Sequence, residues 1–498
     1  MLDKKIYREK VRNCFLGKII AGGIGAPYEG HPYPLDLKPE DAIIDMSPND
    51  DLELQLVWLV WMEKYKLSLS SENLSEAWLS VIKYGMDEYG VAIRNLKRGI
   101  KPPFSGAVDN YFVDQMGAVI RSEIWACLFP GQPEIAGYFA GQDACVDHCG
   151  EGVWAEIFMA RLESEAFVNN DLMSVINKAL EAIPESSKVT TVVKFVLDLH
   201  KNNTPLNEIR QIIIDNFGSH SFTDVIMNMA FMFTALLYGG DDFIKTILIA
   251  VNFGMDTDCT AATCGSIFTL IYGIDKVPEK FIEQVNTEIN VNEFFKEIDI
   301  PENVNDLVDR VVALQTELTE HLKEKEYSFP VYEPCVVPEG MNKINNQWLL
   351  VKGEDLAELE KIEAALKSNK LVQGKDNIFK INTGNLNLDL SEYCDSSESI
   401  FMYTKLSTDQ EIKGQLMVCS NTGLTVWLDD DQIINCHSRR KPIPSFHRTE
   451  GGATIPMTFK TSKEYLLKIK LYFCIKDINM TTAFAEENNQ FIDIDFKI

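Results

Sequence analysis

Apolar positions recur at three-to-four spacing along the first two thirds of the chain, the period of a helix with one buried face. DLELQLVWLVWMEKYKLS (51–68), DLMSVINKALEAI (171–183) and NEFFKEIDI (292–300) carry it. VIMNMAFMFTALLYG (225–239) and DDFIKTILIAVNFG (241–254) are apolar on most faces, which predicts central helices. SSENLSEAWLSVIKYG (70–85) opens on Ser and Asn and closes on Gly, as helix caps require. Near residue 328 the texture changes. Pro330, Pro334 and Pro338 crowd one stretch, which suits an extended linker. A single helical pattern follows at 353–368. From 378 onward the chain turns to short β runs, several alternating with period two: NIFKIN, SIFMYTKLS, KGQLMVCS, TVWLDDDQII, ATIPMTFK, YLLKIKLYFCIKD and FIDIDFKI. The pattern predicts an all-α domain over 1–327, a linker over 328–352 and a β-sandwich domain over 353–498.

Composition narrows the function. Of 498 residues, 46% are apolar, enough for large cores. The net charge of -27 argues against nucleic acid as a partner, because its phosphates would be repelled. No apolar run reaches the length of a membrane span, so no membrane partner is expected. The N-terminal MLDKKIYREKVRNCFLGKIIAGGIG lacks the pattern of a secretion signal, since Lys18 interrupts its apolar stretch. The 11 cysteines form no CxxC pair and read as reduced thiols of a cytoplasmic protein.

Three acidic groups stand at helix ends or Gly/Pro-rich breaks: Glu29 after GGIGAPYEG, the run Asn49, Asp50, Asp51 and Glu53 in SPNDDLELQ, and Asp256 with Asp258 in GMDTDC. A helix N-terminus stabilises a carboxylate by roughly 0.3–1 kcal/mol. That is too little to gather several of them in an interior. If the groups converge, a divalent cation is the natural counter-charge, and oxygen donors suit Mg²⁺, Mn²⁺ or Ca²⁺ rather than zinc. Taken singly, each motif also reads as an ordinary helix cap or a solvated loop.

Together these segments resemble the ADP-ribosylglycohydrolase family over roughly residues 8–275. The resemblance is carried by GGIGAPYEG, PNDDLELQ, the central MGAVIRSEIWACLFPGQPEIAGYFAGQDACVDHCGEGVWAEIFMA (116–160) and GMDTDCTAATCGSIFTLIYG (254–273). It implies an all-α ADP-ribosylglycohydrolase-like N-terminal domain with two Mg²⁺ or Mn²⁺ ions at the floor of a cleft. Asn49, Asp50, Asp51, Asp256, Asp258 and Cys259 then fall at metal-ligand positions. Glu29 and Asp51 become the catalytic candidates, Glu29 as a ligand or as the base that orients water. Some positions depart from the family pattern. Asn49, Leu52 and Cys259 stand where the family has Thr, Gly22 where it has Asp, and Met116 where it has Asn.

Asp109, Asn110, Gly117, Arg121, His148 and Asn228 are the candidate substrate-binding residues, each with a structural alternative. Asp109 and Asn110 equally suit a surface turn, Arg121 a buried ion pair, and Asn228 a satisfied core amide. The C-terminal region is similar to galactose-binding-like sandwiches, with Trp427, His437, Arg439, Arg440, His447 and Arg448 as candidate glycan or domain contacts. The expected function is a metal-dependent glycohydrolase that cleaves an N- or O-glycosidic bond to ribose in a small-molecule or ADP-ribosylated substrate. The alternatives are a hydrolase of nucleosides or small glycosides with an accessory sugar-binding module, and a non-catalytic ADP-ribose or sugar-binding protein. Assembly into a homo-oligomer is left open.

Overall fold

Helical periodicity and helix caps coincide through the first part of the chain. In the computed structural model the described residues are 2–338, 340–341, 346–370, 372, 375–393, 399–438, 440–472 and 477–498. They divide into two units. The first takes the chain up to Ile82, Lys101–Ala107 and Phe112–Cys335; the second takes Lys83–Ile100, Val108–Tyr111 and Val336–Ile498.

Among its described residues the first unit is built of α-helices and short 3-10 turns. The helix predicted at 225–239 runs Val225–Gly239, and that at 241–254 runs Phe243–Asn252. Both are buried along nearly their whole length, as their all-round apolar pattern requires. The 51–68 pattern forms the helix Asp50–Tyr65 followed by a 3-10 turn, and the 171–183 pattern forms Leu172–Leu180. Two expectations shorten. The 70–85 helix stops at Ser80, where Val81 and Ile82 turn into the core instead of continuing toward Gly85. The 292–300 pattern gives only the 3-10 turn Glu293–Glu297, because Pro301 disfavours helix in the residue before it. No helix among the described residues is long and apolar enough to cross a membrane.

Among its described residues the second unit is a sandwich of two antiparallel sheets, one of seven strands and one of five. Alternate residues from both face a shared core that includes Trp348, Met402, Leu416, Val426, Ile469 and Phe484. The β runs read from sequence all contain strands. TVWLDDDQII is a hairpin, Leu424–Leu428 and Asp431–Cys436, turned at Asp429 with φ +54°. Strands at Asn346–Lys352, Asn387–Asp389 and Asn479–Glu486 were not anticipated.

The domain boundaries differ from the expected ones in two places. The stretch 328–352 is not one linker. Phe329 packs on Tyr138 and Phe139, and Tyr332 on Trp154, all within the helical unit. Its other end is the strand Asn346–Lys352, paired on both sides within the sandwich. The helix Asp87–Lys97, inside the expected 1–327 domain, belongs to the second unit. Arg94 on that helix pairs with Asp493 at 2.7 Å, and Arg448 pairs with Asp87. Those charges explain why an amphipathic helix leaves the bundle that its sequence neighbours build.

Candidate metal centre

The small residues after Asp258 allow two helices to touch backbone to backbone. These are Lys4–Gly25 and Thr257–Tyr272. A Cβ on Gly265 would lie 2.2 Å from the Gly17 carbonyl oxygen, and one on Gly25 would lie 2.2 Å from that of Thr257. The end of the first helix therefore meets the start of the second, and the Thr257 hydroxyl donates to the Gly25 carbonyl at 2.9 Å. The chain then leaves through a 3-10 turn, Ala26–Tyr28, to Glu29. It is stitched beside residues 252–255 by Gly30 N–H to Met255 O, Met255 N–H to His31 O and Leu35 N–H to Asn252 O, each 2.8 Å. Met255 sits at φ +67°, a conformation uncommon for a non-glycine residue.

This packing brings the distant acids together. Glu29, Asp256 and Asp258 each offer a carboxylate oxygen, all within 4.8 Å of one another. Asp51, Asp258 and Cys259 form a second such group, so Asp258 is common to both. Asp256 is fully buried, and neither of its carboxylate oxygens, nor Oδ1 of Asp258, has a hydrogen-bond donor. Burial pushes the Asp256 carboxyl well above the usual range, and Asp258 and Glu29 push it further. Such burial without compensation costs several kcal/mol. Lone pairs on hard oxygens, gathered and unsatisfied, fit a divalent cation.

The Asp51 side is built differently. Asn49 caps the helix Asp50–Tyr65: its Oδ1 accepts the Asp51 N–H at 2.7 Å, and its Nδ2 donates to Asp258 Oδ2 at 3.0 Å. Lys18, 1% exposed on the first helix, places its ammonium 2.9 Å from Glu123 Oε1 and 3.6 Å from Asp51 Oδ1. Gln55 and Ser266 also donate to Glu123, at 2.8 and 3.1 Å, so four helices meet around one ion pair. Burial raises the Asp51 carboxyl, Lys18 opposes the rise and Asp258 adds to it. The Cys259 Sγ donates to Asp51 Oδ2 at 3.6 Å. Burial and the charges of Asp256, Asp258 and Asp51 raise this thiol far above its usual value, so it stays protonated. A pocket of about 60 Å³ opens on Lys18, Asn49 and Asp51 between Gly22, Gly23 and Ala262.

Lys18 is the residue that sequence reasoning missed. Its signal was present: one lysine among apolar residues on a glycine-rich helix. Asp50, half-buried in the first turn of its helix, lies outside both groups. Glu53 turns elsewhere, accepting from the backbone and side-chain amides of Asn292.

The expected substrate contacts fare unevenly. Arg121 is fully enclosed. Its guanidinium grips Asp147 through two bonds of 2.8 Å and meets Asp143 at 3.0 Å, while Trp58 and Trp78 face it. His148, also fully buried, holds its Nδ1 3.0 Å from Asp147 Oδ1. Asn228 spends its amide on the carbonyls of Phe222 and Asp224 at 2.7 and 2.9 Å. None of these three has exposed surface, and each is engaged by neighbouring groups of the interior. Gly117 is buried in the turn before the 3-10 stretch Val119–Arg121. Asp109 and Asn110 lie in the second unit. There Asp109 accepts from Arg94 at 3.2 Å and from the Leu386 N–H at 2.9 Å, a structural role. Within the same unit Trp427 lies under the Lys468 ammonium, His437 meets Tyr472 edge-on and His447 contacts Ser445 at 3.0 Å. Arg439 lies outside the described residues.

The helical unit and its buried, donor-poor carboxylates define an all-α domain with a metal-competent acidic site. The chain belongs to the ADP-ribosylglycohydrolase family, whose family model matches residues 3–320. An uncharacterized protein of Archaeoglobus fulgidus is 23% identical over 281 residues, covering 52% of this chain and 86% of the relative. A solved structure described as an ADP-ribosylglycohydrolase-related protein complex is 17% identical, covers 64% of this chain and 99% of that one, and has a TM-score of 0.39. A β-glucosidase from Kluyveromyces marxianus bound to glucose covers 48% of this chain and 34% of its own, at 8% identity and a TM-score of 0.22. Scores that low carry no functional weight. Family membership supports a glycohydrolase-type hydrolase.

Proposed function

We propose that the helical unit is a divalent-metal-dependent glycohydrolase that cleaves an N- or O-glycosidic bond to ribose in a small-molecule or ADP-ribosylated substrate. One observation carries the reading: Asp256 is buried with two donorless oxygens, beside Asp258 and Glu29. Mg²⁺ or Mn²⁺ would be held by Glu29, Asp256 and Asp258, with Asp51 beside them. When bound, such a cation orients vicinal sugar hydroxyls and stabilises developing negative charge. The chain's own groups do the rest. Glu29, exposed at the rim, takes the proton of the attacking water as general base. Asp51, enclosed and paired with Lys18, holds the charge balance of the floor and is the weaker candidate for base. The described cysteines form no disulfide, in keeping with the cytoplasmic location we propose.

The test assays ADP-ribosylated peptides, nucleosides and aryl glycosides with Mg²⁺ or Mn²⁺ and with EDTA. Turnover of one class that EDTA and Asp256→Asn both abolish supports the reading. Tight binding of ADP-ribose without turnover, unchanged in Asp256→Asn, overturns it in favour of a non-catalytic binding protein.

A further inference from the structure

We infer that this chain holds one divalent cation, at the Glu29–Asp256–Asp258 corner, and that the Asp51 corner is neutralised by the protein itself. The inference rests on the metal-dependent reading above and gives it a stoichiometry. A second cation beside Asp51 would meet one open oxygen, since Asp51 Oδ1 accepts no hydrogen bond, but the ammonium, amide and thiol that converge there all present protons. The Lys18 ammonium lies 3.6 Å from Asp51 Oδ1 and is 1% exposed, so it has no solvent to withdraw into. Asn49 offers Asp258 its amide protons at 3.0 Å. It is held in that orientation because its oxygen accepts the Asp51 N–H at 2.7 Å to cap the helix. Cys259 directs its S–H at Asp51 Oδ2, 3.6 Å away. Leu52, next in the chain, has no side-chain oxygen.

A fixed ammonium in a poorly screened interior also repels any dication placed against the same carboxylate. The other corner is poorer in donors and has no ammonium beside it. Both oxygens of Asp256 and Oδ1 of Asp258 receive no proton, and no Lys or Arg among the described residues forms an ion pair with Asp256. One half of the acid cluster thus carries its counter-charge covalently, on the first helix, and the other half draws it from solution.

The experiment strips the full-length chain with chelator and titrates it with Mn²⁺, following heat and the electron paramagnetic resonance spectrum. The expected result is one Mn²⁺ per chain with the spectrum of an isolated ion, lost in Asp256→Asn and kept in Asp51→Asn. The double substitution Lys18→Met with Cys259→Thr is expected to bind two ions with a spin-coupled spectrum, its folding checked by circular dichroism. Two coupled ions in the unaltered chain overturn the inference and leave the metal-dependent reading standing. No bound ion overturns both. A single ion lost in Asp51→Asn but kept in Asp256→Asn overturns the assignment to the Glu29 corner. A folded double variant that still binds one ion overturns the role given to Lys18.

Discussion

Two clusters of acids lie in the same helical unit, and the chain treats them in opposite ways. Around Arg121 stand Asp143, Asp147 and Glu156, all without exposed surface. The guanidinium meets each of them, so one cation with several donors is shared among three acids. Burial still pushes Asp143 and Glu156 upward, but Asp147, against the same burial, is held below the usual carboxylate range by Arg121 and His148. At Asp256 no such cation is supplied among the described residues, and burial pushes its carboxyl upward. Buried acids therefore do not all serve one purpose. Where the fold furnishes the cation, the acids tie helices together; where it supplies none, buried carboxylate oxygens are left unsatisfied.

The most severe way to break the comparison is to remove the protein's own cation. Arg121→Met should destabilise the chain by about 3–5 kcal/mol, because it strands buried carboxylates that had a partner. Urea unfolding at neutral pH measures this. A loss within the range of an ordinary surface change would show that the acids were already neutral. The next effect comes from adding a cation where the fold gives none. Mn²⁺ at a hundredfold excess over its dissociation constant should stabilise the chain by about 2.7 kcal/mol. Asp256→Asn should abolish that gain while leaving the metal-free chain at least as stable, since it removes a like charge from the group. Differential scanning fluorimetry with and without EDTA reads both. Gly25→Ala comes third, at about 1–3 kcal/mol, from overpacking at the crossing where a Cβ would stand 2.2 Å from the Thr257 oxygen. Because that crossing also presents Asp256 and Asp258, the same substitution should weaken Mn²⁺ binding in calorimetry, whereas Gly99→Ala, with nothing within 4 Å, should not.

Much of this was legible in the sequence because it depends on local pattern. The 225–239 helix shows its burial in its composition, and GMDTDC followed by small residues announces both a helix start and a close crossing. The acid pairs were legible as motifs, and a resemblance was needed to bring them together, since nothing local says that Glu29 will lie against residues 255–256. What stayed hidden depends on partners far along the chain. Arg121 and His148 look like pocket residues until Asp147 is seen to engage both. Lys18 looks like an interruption until Glu123 and Asp51 close on it. The helix Asp87–Lys97 reads as one more member of the bundle, because its ion pairs to Asp493 and Arg448 are formed across several hundred residues of sequence.

The smallest expected effect separates the two clusters by pH. Asp143 is raised from 3.8 to about 6, first by burial and then by Asp147, with Arg121 opposing. Between those two values the folded chain binds a proton that the unfolded chain has released. Stability on this account falls as pH rises through the window, because the slope follows the excess of protons bound by the folded form. Asp147 has the opposite sign and a lower window: its stabilisation is present above its ordinary pKa and is lost only as pH falls below it. Urea midpoints in EDTA at about pH 4.5 and about pH 6.5 therefore isolate Asp143 when compared with Asp143→Asn. The substitution mimics the protonated acid, so the drop in stability from the lower to the higher pH should be smaller in the variant than in the unaltered chain. An equal drop in both would mean that Asp143 is already ionised at the lower pH. Arg121 would then satisfy all of its acids, and the contrast with the donorless Asp256 would be wider still.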